Sequence, residues 1–334
     1  MTRRATVAIT GASGFVGQYL SKWLLEHEYG VLALVRSRHA LTPPGVEARQ
    51  IPEHPTVSDL RAAFAGAISV VHLAGRAHVM REHTEAPLEA YRAANVELTR
   101  TALQAAVDAG CSTFVLASSV KAVGERNDSP WNEESPAAPA DPYGVSKLEA
   151  EELVAAEGAR LGLRTVILRF PLMYGAGMRA NMLRLFRAVD RGIPLPLGAI
   201  ANRRSLLFVG NAAAAVELAL SHVDAGSGLY FVSDGHDLST PELVREVAVA
   251  LGRPPRLIPV PPALVNLAGR IGDGLASLLP WPVTSSAVRR LQDSLTVDAT
   301  RIRTRLGYDP PFSLQQGLAL TAGWYRATEH RGRH

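Results

Sequence analysis

Five short runs in this chain are apolar almost from end to end: TVAIT at 6–10, VLALV at 31–35, ISVVHLA at 68–74, TFVLA at 113–117 and RTVILR at 164–169. They are rich in β-branched residues and do not alternate polar with apolar. Each therefore predicts a strand buried on both faces. Between the first two, residues 15–27 repeat Phe15, Val16, Tyr19, Leu20, Trp23 and Leu24 at helical spacing. Residues 87–109 and 143–161 predict two further helices. Buried strands alternating with helices demand a parallel sheet covered on both sides. Right-handed crossovers then wind that sheet in both directions. The expected class is α/β, a doubly wound parallel sheet.

Beyond residue 172 the texture changes. Gly192, Pro194, Pro196 and Gly198, then Pro254, Pro255, Pro259, Pro261 and Pro262, break the chain into shorter segments. We expect a first domain over 1–172 and a smaller, mainly separate α/β domain over 173–334, with some later segments free to return to the sheet. Residues 127–142 are rich in Pro, Asp, Glu and Ala and predict an exposed loop.

Bulk properties narrow the setting. The one cysteine, Cys111, permits no intrachain disulfide, which fits a reducing compartment. The net charge of +4 is spread along the chain. No basic stripe interleaves with aromatics, so nucleic acid is not an expected partner. Thr6 already opens a strand, so neither a leader nor an extracellular setting is expected, and a cytoplasmic protein is. The stretch Pro262–Trp281 is interrupted by Arg270 and Asp273. It reads as a packed or interfacial helix rather than a membrane span.

The first strand runs into TGASGFVG at 10–17, with Gly11, Gly14 and Gly17 between a strand and a helix. Glycines at such a turn let the backbone approach a pyrophosphate, and the helix N-terminus supplies free N–H groups. The first domain is therefore expected to bind a dinucleotide. An acid at the end of the second strand would bond the ribose 2′-hydroxyl of NAD(H), whereas arginine accommodates the 2′-phosphate of NADP(H). Here Arg36 and Arg38 stand at that end, and no Asp or Glu occurs until Glu47. NADP(H) is favoured, with NAD(H) the alternative. No metal site is expected.

Residues 141–147 read DPYGVSK, placing Tyr143 and Lys147 four apart on one helical face. A phenol is a poor acid at neutral pH, and an ammonium one turn away draws its pKa toward the working range. Two serines, Ser118 and Ser119, end the fourth strand. Ser119 is the better candidate to bond the oxygen that Tyr143 protonates.

Together TGASGFVG, HLAG at 72–75, Asn95 in NVELT, ASSVKAVGE at 117–125, PYGVSK and RFPLMYG at 169–175 resemble the extended short-chain dehydrogenases/reductases. These are the NAD-dependent nucleotide-sugar epimerases, dehydratases and reductases. The likeness runs through LGYDPPFSLQQGL at 306–318. It implies a seven-stranded Rossmann sheet, a C-terminal substrate domain, a homodimer paired through the 87–109 and 143–161 helices, and a UDP-linked sugar substrate. It assigns catalysis to Ser119, Tyr143 and Lys147. It implies cofactor contacts from Gly11, Ser13, Gly14, Phe15, Val16, Gly17, Arg36, Arg38, Leu73, Ala74, Gly75, Asn95, Ala117, Ser118, Tyr143, Lys147 and Pro171. It gives substrate contacts to Ser119, Asn181, Arg204 and Arg290, while Lys121 either bonds the sugar or is a loop charge. The acid facing adenine is either Glu53 or Asp59.

Sugar dehydratases of this kind carry an Asp-Glu pair directly after the active serine, where this chain has Val120 and Lys121. Dehydration is therefore not expected. HLAGRAHVM, SSVKAVGE, LPLGAIANRRSL and VSDGHDLSTPELV further resemble a bacterial subgroup that includes UDP-4-keto-6-deoxy-N-acetylhexosamine reductases, often named as UDP-glucose 4-epimerases. The expectation is a 4-keto reductase making N-acetylquinovosamine for surface polysaccharide. A UDP-hexose 4-epimerase with bound NAD is the alternative. A non-catalytic NADP-binding regulator of this fold generally lacks the Tyr or the Lys, and both are present here.

Overall fold

The structure is a computed structural model and describes residues 4–37, 39–76, 86–222, 226–275 and 285–331. Its first half alternates strand and helix: β1 (Arg4–Thr10), α1 (Phe15–Glu26), β2 (Tyr29–Val35), β3 (Glu47–Gln50), α2 (Val57–Phe64), β4 (Ser69–His72), α3 (Pro87–Arg92), α4 (Leu98–Asp108), β5 (Thr113–Ser119), α5 (Pro142–Leu161) and β6 (Arg164–Phe170). A π turn, Ala93–Glu97, joins α3 to α4. The second half contains β7 (Leu172–Tyr174), α6 (Ala180–Asp190), β8 (Arg204–Phe208), α7 (Val209–Ser221), β9 (Gly228–Phe231), β10 (Asp237–Leu238), α8 (Thr240–Leu251), α9 (Pro262–Leu275), α10 (Ser285–Gln292), α11 (Thr300–Leu306) and α12 (Leu314–Arg331).

Seven strands form one sheet in the order β3-β2-β1-β4-β5-β6-β9, and every pairing in it is parallel. Both faces are covered, as the apolar runs require. On one face Leu20 and Leu24 of α1 and Ala212, Val216 and Ala219 of α7 pack over Val7, Ile9, Val115 and Val166. On the other, Leu60, Phe64, Leu103, Ala150 and Val154 from α2, α4 and α5 cover Leu32, Val70, Phe114 and Leu116. The order reverses between β1 and β4, which opens a crevice beyond their carboxyl ends.

Two strands differ from the sequence reading. β3 is an edge strand whose residues EARQ face mostly outward, so no apolar run marks it. The expected strand at 68–74 forms its ladder only over Ser69–His72, which leaves Leu73 and Ala74 in the following loop. The chain also crosses back from its second half: β9 pairs with β6, and α7 packs on the first sheet.

The smaller lobe has its own sheet, β10-β8-β7, and its own core around Phe186, Leu206, Phe208, Val244 and Leu318. The loop at 127–142 is not simply exposed. Asn127 and Trp131 pair with residues 294–298, which in turn run beside β8. That double pairing ties the loop before α5 to the lobe that faces it. Helix α9 packs against α10 and exposes Leu264, Leu267 and Ile271. The rest of the Pro262–Trp281 stretch lies outside the described residues. Among the described residues, no helix is long and apolar enough to cross a membrane.

Candidate active site

The β1–α1 turn is shaped for close backbone approach. Gly11 has φ +69°, and a Cβ there would sit 2.8 Å from Ala74 N. A Cβ on Gly17 would lie 2.3 Å from Gly11 O and 2.6 Å from Ala12 Cα. Among the described residues no side chain caps α1, and its first turn carries no acid. Its N–H groups are thus left for an anion, with the positive end of the helix dipole behind them. These features fit a dinucleotide pyrophosphate. Ser13, Gly14, Phe15 and Val16 line the same turn, and Leu73, Ala74 and Gly75 leave β4 directly beside it. Thr10 pins the two loops together. Its Oγ1 shares a 2.8 Å hydrogen bond with His72 Nδ1 and accepts from Ala74 N at 3.2 Å.

Asn95, expected to touch the cofactor, is spent on the protein. Its Oδ1 accepts from Arg76 N at 2.7 Å, and its Nδ2 donates to Arg76 O at 3.2 Å and Ser146 Oγ at 2.9 Å. It sits in the π turn, a distortion that often marks functional sites. There it locks the loop after Gly75 to α5 rather than reaching outward.

Helix α5 begins cleanly because Asp141 caps it, its Oδ1 accepting from Gly144 N at 2.6 Å, and Pro142 follows at the first position. That start aims Tyr143 at the end of β5. Ser119 hydrogen-bonds the phenol. The ring of Tyr91 from α3 meets Tyr143 edge-on at 5.9 Å, and Arg76 stands 5.0 Å over Tyr91. Burial pushes the Tyr143 phenol up to about 12, and the Ser119 bond opposes that rise. One turn on, Lys147 is buried and donates to the Ala117 carbonyl at 2.6 Å. Burial lowers its ammonium to about 8, and the Glu151 carboxylate pulls it back upward. At neutral pH the pair is a protonated phenol beside an ammonium. Ser118 faces the other way, its hydroxyl bonded to Glu151, so its side chain is closed to a cofactor. Pro171, buried after β6, is placed by the strand beside β5.

Three expected substrate cations converge. Lys121 is held between Glu125 and Asp141 Oδ2, the latter at 3.4 Å. Arg204 opens β8 and donates from Nε to Asp293 O at 3.1 Å. Burial lowers the Lys121 ammonium, Asp141 opposes that, and Arg204 and Arg290 add to the lowering. The three cations therefore feel one another, Lys121 from the loop after β5 and Arg204 and Arg290 from the smaller lobe. Such a cluster suits a diphosphate. Replacing Arg204 with Gln should raise the KM of a nucleotide sugar about ten- to hundredfold, the worth of one charge-assisted hydrogen bond. Cofactor affinity, followed by fluorescence titration, should stay unchanged. Asn181 lies on the exposed first turn of α6, and no hydrogen bond among the described residues joins it to the cluster.

The end of β2 carries the two arginines expected at the ribose 2′ position. Arg36 is exposed there, and Arg38 lies outside the described residues. Folding brings Glu53 to 4.0 Å from Arg36. Asp59, the other adenine candidate, instead completes the capping box of α2 with Thr56. Sequence reasoning missed Glu151, Arg169 and Tyr91. The Tyr143, Lys147, Glu151 spacing of four and four was the available signal for the first. Among the described residues no group of three His, Cys, Asp or Glu is placed to hold a metal ion.

Residues 7–232 match the model of the NAD dependent epimerase/dehydratase family. A UDP-glucose 4-epimerase of Vibrio cholerae is 36% identical, over 98% of this chain and 97% of that protein. An N-acetyl-alpha-D-glucosaminyl-diphospho-ditrans,octacis-undecaprenol 4-epimerase of Escherichia coli O157:H7 is 30% identical, over 94% and 93%. The solved structure of MoeE5 in complex with UDP-glucuronic acid and NAD superposes with a TM-score of 0.76 at 29% identity, over 97% of this chain and 99% of that one.

Proposed function

The chain belongs to the NAD dependent epimerase/dehydratase family, and we propose that it reduces the 4-keto group of a UDP-4-keto-6-deoxy-N-acetylhexosamine with NADPH, in surface polysaccharide synthesis. The observation that carries this reading is the site's inventory of protons. Tyr143 holds a proton beside a charged Lys147, and no acid–base pair follows Ser119. Val120 is instead packed with Val123 and Phe231, and Lys121 is a paired cation. The two places expected to hold an acid and a base for eliminating water are thus filled otherwise, whereas Tyr143 provides for donation of one proton to an oxygen.

A nicotinamide dinucleotide held by its pyrophosphate at the glycine turn and the N–H groups of α1 would supply the hydride. Tyr143 gives its proton to the sugar's carbon-4 oxygen as the new C–H bond forms. Ser119 donates a hydrogen bond to the same oxygen. Lys147 keeps the developing phenolate stable, since an ammonium one turn away favours the charged form. Lys121, Arg204 and Arg290 hold the diphosphate end of the substrate.

A second reading, a UDP-hexose 4-epimerase with bound NAD, has its own support. Glu53 lies near the end of β2, where an acid can bond the ribose 2′-hydroxyl. The Vibrio cholerae relative is a named 4-epimerase, and MoeE5 was solved with NAD. Incubation with NADPH and the 4-keto sugar separates the two. Loss of the reduced cofactor's absorbance supports reduction. No loss, with interconversion of UDP-glucose and UDP-galactose, supports epimerisation. On the reductase reading, Arg36→Asp should shift preference from NADPH to NADH by about tenfold or more, one lost charge-assisted contact plus a repulsion.

A further inference from the structure

Beneath the catalytic pair lies an ion pair that the proton transfer does not itself use. Glu151 and Arg169 are 3% and 6% exposed, with Arg169 Nη2 at 2.7 Å from Glu151 Oε2 and Nε at 3.1 Å from both carboxylate oxygens. Ser118 donates to Oε1 of the same carboxylate. Three elements meet here: α5 supplies Glu151, β5 supplies Ser118, and β6 supplies Arg169. Ser118 is the strand neighbour of Ser119, and Glu151 is one helical turn beyond Lys147. The clamp thus grips the backs of both elements that carry catalytic groups. Arg169 is itself fixed over the Phe231 ring at 5.2 Å.

The charge balance around Lys147 needs an anion. Its own helix offers Tyr143, which is protonated, and Glu151. From β4 comes His72, which burial first and Lys147 second push down to about 3, so it is neutral. From β5 comes the Ala117 carbonyl. From β6 comes Arg169, a cation paired with Glu151 that offers Lys147 no counter-charge. Tyr91 of α3 and Asp141 at the cap of α5 act on Tyr143 instead. A buried ammonium without a counter-charge sheds its proton. We propose that Glu151, clamped by Arg169 and Ser118, is a positioning residue that keeps Lys147 charged beneath Tyr143. This rests on the reading of Tyr143 and Lys147 as the catalytic pair.

The composition makes the test direct. Among 35 basic residues the chain has three lysines, Lys22, Lys121 and Lys147. Lysine labelled with ¹³C at Cε therefore gives three resonances, assigned by replacing Lys22 and Lys121 with Arg. Without substrate or cofactor, the Lys147 titration midpoint should fall by about one unit or more in Glu151→Gln, a tenfold change in ionisation constant. The sign follows from losing an anion that favours the ammonium, so the proton leaves at lower pH. The alkaline limb of turnover should move down with it. Should Glu151→Gln fail to fold around an unpaired Arg169, Glu151→Asp keeps the charge but draws it back by one methylene and should lower the midpoint by a smaller amount. Ser118→Ala keeps the carboxylate and should leave the midpoint in place. An unmoved midpoint in every folded Glu151 variant overturns the proposal, as does an equal fall in Ser118→Ala. A lowered midpoint in a protein that turns over no sugar supports Glu151's role and sinks the proposed reaction instead.

Discussion

Tyr143→Phe is expected to lower kcat by at least about a hundredfold, the usual worth of a positioned general acid. The substitution removes one hydroxyl and keeps the ring, which Tyr91 packs edge-on at 5.9 Å. Stability should therefore hold, with Tm close to that of the parent. The dinucleotide turn is built from β1, α1 and the loop after β4, so cofactor affinity should hold as well. Loss of turnover with retained binding is the signature of a group that acts on the reacting oxygen. Near-native turnover would remove Tyr143 from the mechanism. Ser119→Ala should show a smaller loss, because its bond assists an oxygen that Tyr143 still protonates.

Gly17→Val is the second large effect, and it should strike binding rather than chemistry. The new Cβ would meet Gly11 O at 2.3 Å and Ala12 Cα at 2.6 Å, both backbone atoms that cannot rotate away. Helix α1 has to shift on its strand. Overpacking of this kind costs about 1–3 kcal/mol or more. The shift also takes the first N–H groups of α1 out of line with an anion. Each such charge-assisted bond is worth about 1.5–3 kcal/mol, so cofactor affinity should fall at least about tenfold. Isothermal titration with NADPH and NAD, alongside a thermal melt, checks both parts. Unchanged affinity for both cofactors would place the dinucleotide elsewhere.

Much of this molecule was legible from residue order alone, where the signal is local. Strands buried on both faces must be apolar throughout, so β1, β2, β5 and β6 could be read directly. The glycine turn and the Tyr143–Lys147 spacing are short-range patterns, one spanning a single strand-to-helix turn and the other one turn of a helix. β3 escaped because an edge strand facing outward needs no apolar run. Tertiary structure decided everything that depends on residues far apart in the chain. Only folding brings Lys121, Arg204 and Arg290 within electrostatic reach, across separations no periodicity encodes. It likewise carried Glu53 back to Arg36, reopening the choice between NADP(H) and NAD(H) that the β2 sequence had tilted one way. It turned Asn95 inward, because an amide can complete its bonds only once the loop and α5 have met it. And it set a buried Glu151–Arg169 pair under the catalytic lysine, where burial, a property of the packed chain and not of any residue, makes one carboxylate matter.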